Sequence, residues 1–147
     1  MRSTVLRSAA RSSTCGNPTK RATTTCSGPA RRVSERAQLV SDEDGRFHFR
    51  SIVAHCYPIP HDGPVGDLLT ALGRHPWRPA HLHFRIEAPG YERLITHIFR
   101  RGDPHLESDA VFGVRSTLVA DWVRHEPAGT EPYYALDYDF VLHRRSR

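Results

Sequence analysis

Two histidines lie two positions apart in Arg78-Pro-Ala-His-Leu-His-Phe-Arg-Ile86, and a tyrosine precedes them in the proline-rich turn Tyr57-Pro-Ile-Pro60. In a strand, side chains alternate between faces, so His81 and His83 point one way while Leu82 and Phe84 point the other. Their Cβ atoms then stand roughly 7 Å apart, close enough for the ring nitrogens to converge on one ion. Tyr57 would complete an N,N,O donor set. A phenol has a pKa of about 10 and ionises near neutrality only beside a strong Lewis acid, so a tyrosinate ligand points to ferric iron. On spacing alone, the same histidines also fit polar positions of a sheet. Tyr57 equally fits a turn-packing aromatic, and Arg78 an arginine paired at a sheet edge.

The elements that must position these residues are short and mostly extended. Asp42-Glu-Asp-Gly45 is a turn signal, and Arg46 to Ile52 alternates as a strand. Residues 56–64 carry three prolines and Asp62-Gly63, which predicts a loop. Val65 to Leu72 predicts one short helix with Leu68, Leu69 and Leu72 on its apolar side, stopped by Gly73. Ala80–Ala88 and Arg93–Arg100 read as a hairpin about Pro89-Gly90. Thr117–Val123 and Tyr134–His143 alternate like half-buried strands. Short strands, frequent turn signals and little helix predict a mainly β fold, an antiparallel β-sandwich, with the histidine pair inside a sheet. Trp77, Phe84 and Trp122 are expected in the core.

Composition divides the chain near Ser41. Residues 1–40 hold eight Lys/Arg against one acid, a charge of +7, while 41–147 hold thirteen basic and fifteen acidic residues, a charge of −2. All ten histidines and every aromatic lie after position 46. The first forty residues lack a hydrophobic period and are rich in Ser, Thr, Arg, Gly and Pro, so they are expected to be an irregular, disordered basic arm. A nucleic-acid-binding arm and an organelle-targeting peptide share that composition. The acidic remainder lacks a basic stripe on any strand, which argues against nucleic acid as a partner. No apolar run approaches the length of a membrane span. Three scattered cysteines, Cys15, Cys26 and Cys56, form neither a disulfide framework nor a zinc motif, and an intracellular, cytoplasmic setting is expected.

Several blocks in residues 41–143 together resemble the intradiol ring-cleavage dioxygenases. They are Asp44-Gly-Arg-Phe47, Tyr57-Pro-Ile-Pro-His-Asp-Gly-Pro-Val-Gly66, Leu72-Gly-Arg-His75, Arg78-Pro-Ala-His-Leu-His83 and Gly102-Asp-Pro104. Pro76-Trp-Arg-Pro79, Glu87-Ala-Pro-Gly-Tyr91 and Asp109-Ala-Val-Phe-Gly113 look most like the hydroxyquinol 1,2-dioxygenases, with catechol and chlorocatechol enzymes next. The resemblance implies non-haem Fe(III) held by two tyrosinates and two histidines. Matched residue by residue, Tyr57, His81 and His83 are metal ligands. Arg78 is the catalytic arginine that stabilises the substrate ring as negative charge builds on it. His97 falls where catechol enzymes carry a glutamine beside the substrate, so it is a substrate-binding position. The implied reaction opens a catechol-type ring between its two hydroxyls with O2, hydroxyquinol giving maleylacetate in the catabolism of aromatic compounds. Family members are homodimers through a helical region ahead of this domain, and the sequence contains no such region.

The family's second tyrosinate lies upstream in a stretch like D-V-W-Q-x-N-x-x-G-x-Y, whereas no tyrosine precedes Tyr57. One displaced reading frame accounts for this. Codons for residues 14–27, taken one base earlier with suitable silent bases, read D-V-W-Q-S-N-E-E-G-Y-Y-D-V-Q. The missing tyrosine would then fall near position 24 and the frame would return near Ser41. On this reading the catalytic sandwich occupies 41–147 and is incomplete at its N-terminus, with weak iron binding and little activity expected. The competing reading is a non-catalytic β-sandwich binding module that retains a remnant metal site.

Overall fold

The protein is described by a computed structural model covering residues 3–11, 21–25, 36–129 and 131–146. Its strands are β1 (Ser3–Arg11), β2 (Arg21–Thr25), β3 (Arg36–Val40), β4 (Arg46–Ile52), β5 (Tyr57–Pro58), β6 (Trp77–Arg78), β7 (His81–Glu87), β8 (Leu94–Arg100), β9 (Val119–Ala120), β10 (Val123–His125) and β11 (Tyr133–Val141). One α-helix, α1 (Pro64–Ala71), and one 3₁₀ turn (Ser116–Leu118) join them. No helix of the described residues is long and apolar enough to cross a membrane. Two compact units are distinguished: Met1–Val53 with Leu82–His97 and Trp122–Arg147, and Ala54–His81 with Ile98–Asp121.

The first unit is a β-sandwich. One sheet has the order β10-β11-β1-β4, and β2, β3 and β7 belong to a second sheet of order β3-β2-β7-β8-β9. Period-two alternation decides what each strand buries. In β11, Leu136 and Phe140 are buried while Asp137 and Asp139 are exposed; in β7, Leu82, Phe84 and Ile86 are buried while Arg85 is exposed. The two layers meet through aromatic rings. Phe84 of β7 lies 6.4 Å from Phe47 and 6.5 Å from Phe49 of β4, and 4.9 Å from Phe140 of β11.

Pairing is mixed. β1 runs parallel to β11 and antiparallel to β4, and β9 runs parallel to β8, so the sandwich is antiparallel only in part. Composition predicts an irregular arm over residues 1–40, yet the backbone at 3–11, 21–25 and 36–40 is extended and paired; the rest of that arm lies outside the described residues. Ladder bonds are made by main-chain groups present in almost every residue, so a strand can fill the slot between β4 and β11 without a hydrophobic signature.

In the second unit, α1 begins with Pro64 in its first turn, where a missing N–H is harmless. Gly66 has no substitute there, since a Cβ would sit 1.9 Å from the His61 carbonyl oxygen. Leu69 is buried, but Leu68 and Leu72 are 59% and 60% exposed, so the expected apolar side is reduced to one residue. Trp77 is not core either: it is 37% exposed and stacks on His105, ring centroids 5.5 Å apart. The single strand expected over 117–123 is instead a 3₁₀ turn, β9 and the start of β10.

Candidate metal centre

Tyr57 and Arg78 are directly opposed residues of the two-residue ribbon β5–β6, with Pro58 facing Trp77. Neither Pro58 nor Pro79 can donate to a ladder, and beyond the second pair Ile59 N–H donates to the Pro76 carbonyl (2.9 Å). The backbone that follows is clamped at three points. Ala110 N–H donates to the Trp77 carbonyl (3.0 Å), Ala80 N–H to the Asp103 carboxylate (2.9 Å), and Arg100 N–H to the Ala80 carbonyl (2.9 Å). Asp103 also accepts from His105 N–H, across a turn that needs Gly102 at φ +80.

His81 follows on β7 and is buried. Its Nδ1 lies 2.6 Å from the Pro79 carbonyl oxygen, which only an N–H can satisfy, so the lone pair belongs to Nε2. That is the arrangement a ligating histidine needs, with the second nitrogen oriented by a carbonyl. Arg78 Nη1 stands 3.2 Å from the same Nε2, and the Tyr57 ring is centred 5.5 Å from the His81 ring.

His83, two residues along β7, is half-buried, and its ring meets that of His97 on β8 edge-on at 4.2 Å between centroids. His81 and His83 share one continuous strand face, and His97 lies against His83. The ligand atoms of His83 and His97 lie within 4.8 Å of one another. A donor set of imidazole nitrogens and a phenol oxygen, with no thiolate, suits a hard or borderline ion.

Two features of the site were not assigned roles from sequence. Asp109, 3% exposed, pairs with Arg78 across 31 positions. Burial alone would raise the Asp109 carboxyl pKa. The hydrogen bond from Arg78, the Gly113 N–H, the Arg78 charge and the Val111 N–H outweigh it and hold the carboxyl below its ordinary value. Arg74 donates to the Asp109 carbonyl at 2.8 Å and lies 3.7 Å over the Phe112 ring. Asp109 and Gly113 bound a sequence block that looks like the hydroxyquinol enzymes, but nothing in that block says which side chain its carboxylate meets.

The profile of a family described as Dioxygenase matches residues 14–144. The 6-chlorohydroxyquinol 1,2-dioxygenase of Cupriavidus pinatubonensis is 69% identical over 107 residues, 73% of this chain and 37% of that protein. A hydroxyquinol 1,2-dioxygenase of a Rhizobium species is 50% identical over 117 residues, 74% of this chain and 40% of that protein. Among solved structures, a hydroxyquinol 1,2-dioxygenase from Pseudomonas putida superposes with a TM-score of 0.87 at 35% identity, covering 98% of this chain and 57% of that one. A 3-chlorocatechol 1,2-dioxygenase from Rhodococcus opacus superposes with a TM-score of 0.89 at 29% identity, covering 98% and 61%. The chain therefore belongs to the intradiol ring-cleavage dioxygenases, iron enzymes built on a β-sandwich. It spans well under half the length of the curated relatives it matches.

Proposed function

We propose that this chain carries iron- and substrate-binding machinery of an intradiol dioxygenase acting on catechol-type rings, with hydroxyquinol the preferred substrate. The observation that carries the reading is His81: its Nδ1 is committed to the Pro79 carbonyl, its Nε2 lone pair faces Arg78, and the Tyr57 ring lies beside it. Tyr57, His81 and His83 would hold Fe(III). When bound, ferric iron supplies a Lewis acid that chelates a catechol dianion and lets its ring donate electrons to O2. Arg78 provides a fixed positive charge, needing no reorganisation as the ring gains negative charge. His97, beside His83, would hydrogen-bond a ring hydroxyl, and the 69% identity to a 6-chlorohydroxyquinol enzyme supports the substrate class. Small catechols and O2 are the proposed partners, in the cytoplasm.

Titrating the chain with Fe(III) is expected to give a phenolate-to-iron charge-transfer band. Tyr57→Phe should abolish the band, and His81→Ala or His83→Ala should weaken binding by more than about 100-fold, since loss of a direct ligand exceeds the roughly 10- to 100-fold cost of losing an outer partner. A band that survives Tyr57→Phe would sink the assignment.

With no tyrosine before Tyr57, the chain is one tyrosinate short of the family's ligand set, and low turnover is expected. The same lack favours the second reading, a binding module with a remnant site. O2 consumption on adding hydroxyquinol to the iron-loaded chain separates the two. We propose further that residues 1–40 are a frame-displaced form of the family's own sequence. The break in charge and composition near Ser41 supports this. Sequencing the gene is expected to show bases across codons 13–27 that spell D-V-W-Q-S-N one base earlier; any other bases reject the idea.

A further inference from the structure

We infer that Asp109 is a positioning residue for Arg78, aiming one nitrogen of its guanidinium at His81; the catalytic meaning of that aim rests on the function proposed above. Asp109 grips the arginine from its side, Nε to Oδ1 at 3.0 Å and Nη2 to Oδ2 at 3.4 Å. A guanidinium is a rigid planar fork, so fixing Nε and Nη2 leaves Nη1 as the free corner and sets its direction. That corner is the one 3.2 Å from His81 Nε2. An end-on grip through Nη1 and Nη2 would consume it.

The carboxylate is itself held. Gly113 N–H donates to Oδ2 at 2.8 Å and Val111 N–H to Oδ1 at 3.4 Å, so the turn 109–113 wraps around its own first side chain. Closing that turn puts Phe112 at φ +54, the single positive φ of a non-glycine residue among those described. Such a conformation persists only where neighbours over-determine it. Here Arg74 bonds the Asp109 carbonyl and covers the Phe112 ring, while Ala110 N–H ties the turn to Trp77. Space at Gly113 is tight, since a Cβ there would meet Arg78 Nη2 and Asp109 Oδ2, both at 3.1 Å, and the pair would have to give by a few tenths of an ångström. The exposed Arg101–Asp121 pair, both side chains more than half exposed, has no comparable cradle.

The test is exchange of the Arg78 Nε–H, followed by 15N NMR on the metal-free chain. Asp109→Asn keeps the side-chain shape but replaces an acceptor oxygen with a donor NH2. Gly113→Ala keeps both charges and inserts a methyl between them. Each is expected to speed the exchange about tenfold or more, as loss of a charged hydrogen bond implies. Asp121→Asn, at the exposed pair, should leave it within about twofold, since such pairs contribute little. If Asp109→Asn does not fold, Gly113→Ala decides. Unchanged exchange in the folded variants overturns the proposal. In the iron-loaded chain, kcat for hydroxyquinol should fall in both variants, with KM moving less than about threefold, because a group that acts mainly in the transition state lowers kcat. Variants that keep full kcat would overturn a catalytic purpose for the aim. Faster exchange together with no turnover in the parent chain leaves Asp109 as Arg78's positioner and removes the functional reading instead.

Discussion

Asp109→Ala is expected to destabilise the fold by about 3–5 kcal/mol, because it strands a buried guanidinium without its counter-charge. Arg78 is 6% exposed and Asp109 3%, so water cannot replace the lost carboxylate without opening the turn. The contrast is Asp121→Ala, whose partner Arg101 is exposed and whose loss should cost less than about 1 kcal/mol. Urea unfolding of the three proteins checks the ranking; equal midpoints for the two variants would contradict it. The pH dependence follows from the direction of the shift. Because the fold holds the Asp109 carboxyl below its ordinary value, its contribution is fully present above the unfolded value of about 3.9. It is lost as pH falls through the lower folded value. The stability gap between the parent and Asp109→Asn should therefore be flat near neutrality and shrink below about pH 4.

Phe84→Ala is expected to cost a similar 3–5 kcal/mol, the usual range for emptying a large core aromatic. The ring is 1% exposed and reaches from its own sheet to the opposite one, against Phe47 and Phe49 on β4 and Phe140 on β11. A domain is stable by only about 5–15 kcal/mol, so the loss is a large share of the total. The damage should reach the site, since Phe84 follows His83 on β7 and its burial keeps His83 on the opposite face. Phe112→Ala is the control. That ring is 68% exposed, and its loss removes one arginine–aromatic contact, about 0.5–1 kcal/mol. Urea midpoints that rank the two phenylalanine variants the other way would show that Phe84 is not the keystone of the sandwich.

Much of the sheet structure was legible because strand alternation is a local property. Arg46–Ile52 was recovered with its bounds unchanged as β4, and β7 and β8 fall inside the expected hairpin. The helix was recovered within a residue, but its buried face was not: which leucine is covered depends on neighbours, and only Leu69 is. Trp77 shows the same limit, since a tryptophan reads as core until a histidine 28 positions on offers a ring to stack against. The strands before Ser41 were invisible for the opposite reason, because main-chain pairing leaves little mark on composition.

By itself the sequence determined the side-by-side presentation of His81 and His83, the turn carrying Tyr57 and the chemistry those residue types favour. These rest on period-two geometry and on the pKa of a phenol, and both act within a few residues. Tertiary structure alone decided that Asp109 holds Arg78 and that Nη1 is the corner left facing His81. Both follow from one contact between residues 31 positions apart, set by how the turn 109–113 folds back on β6.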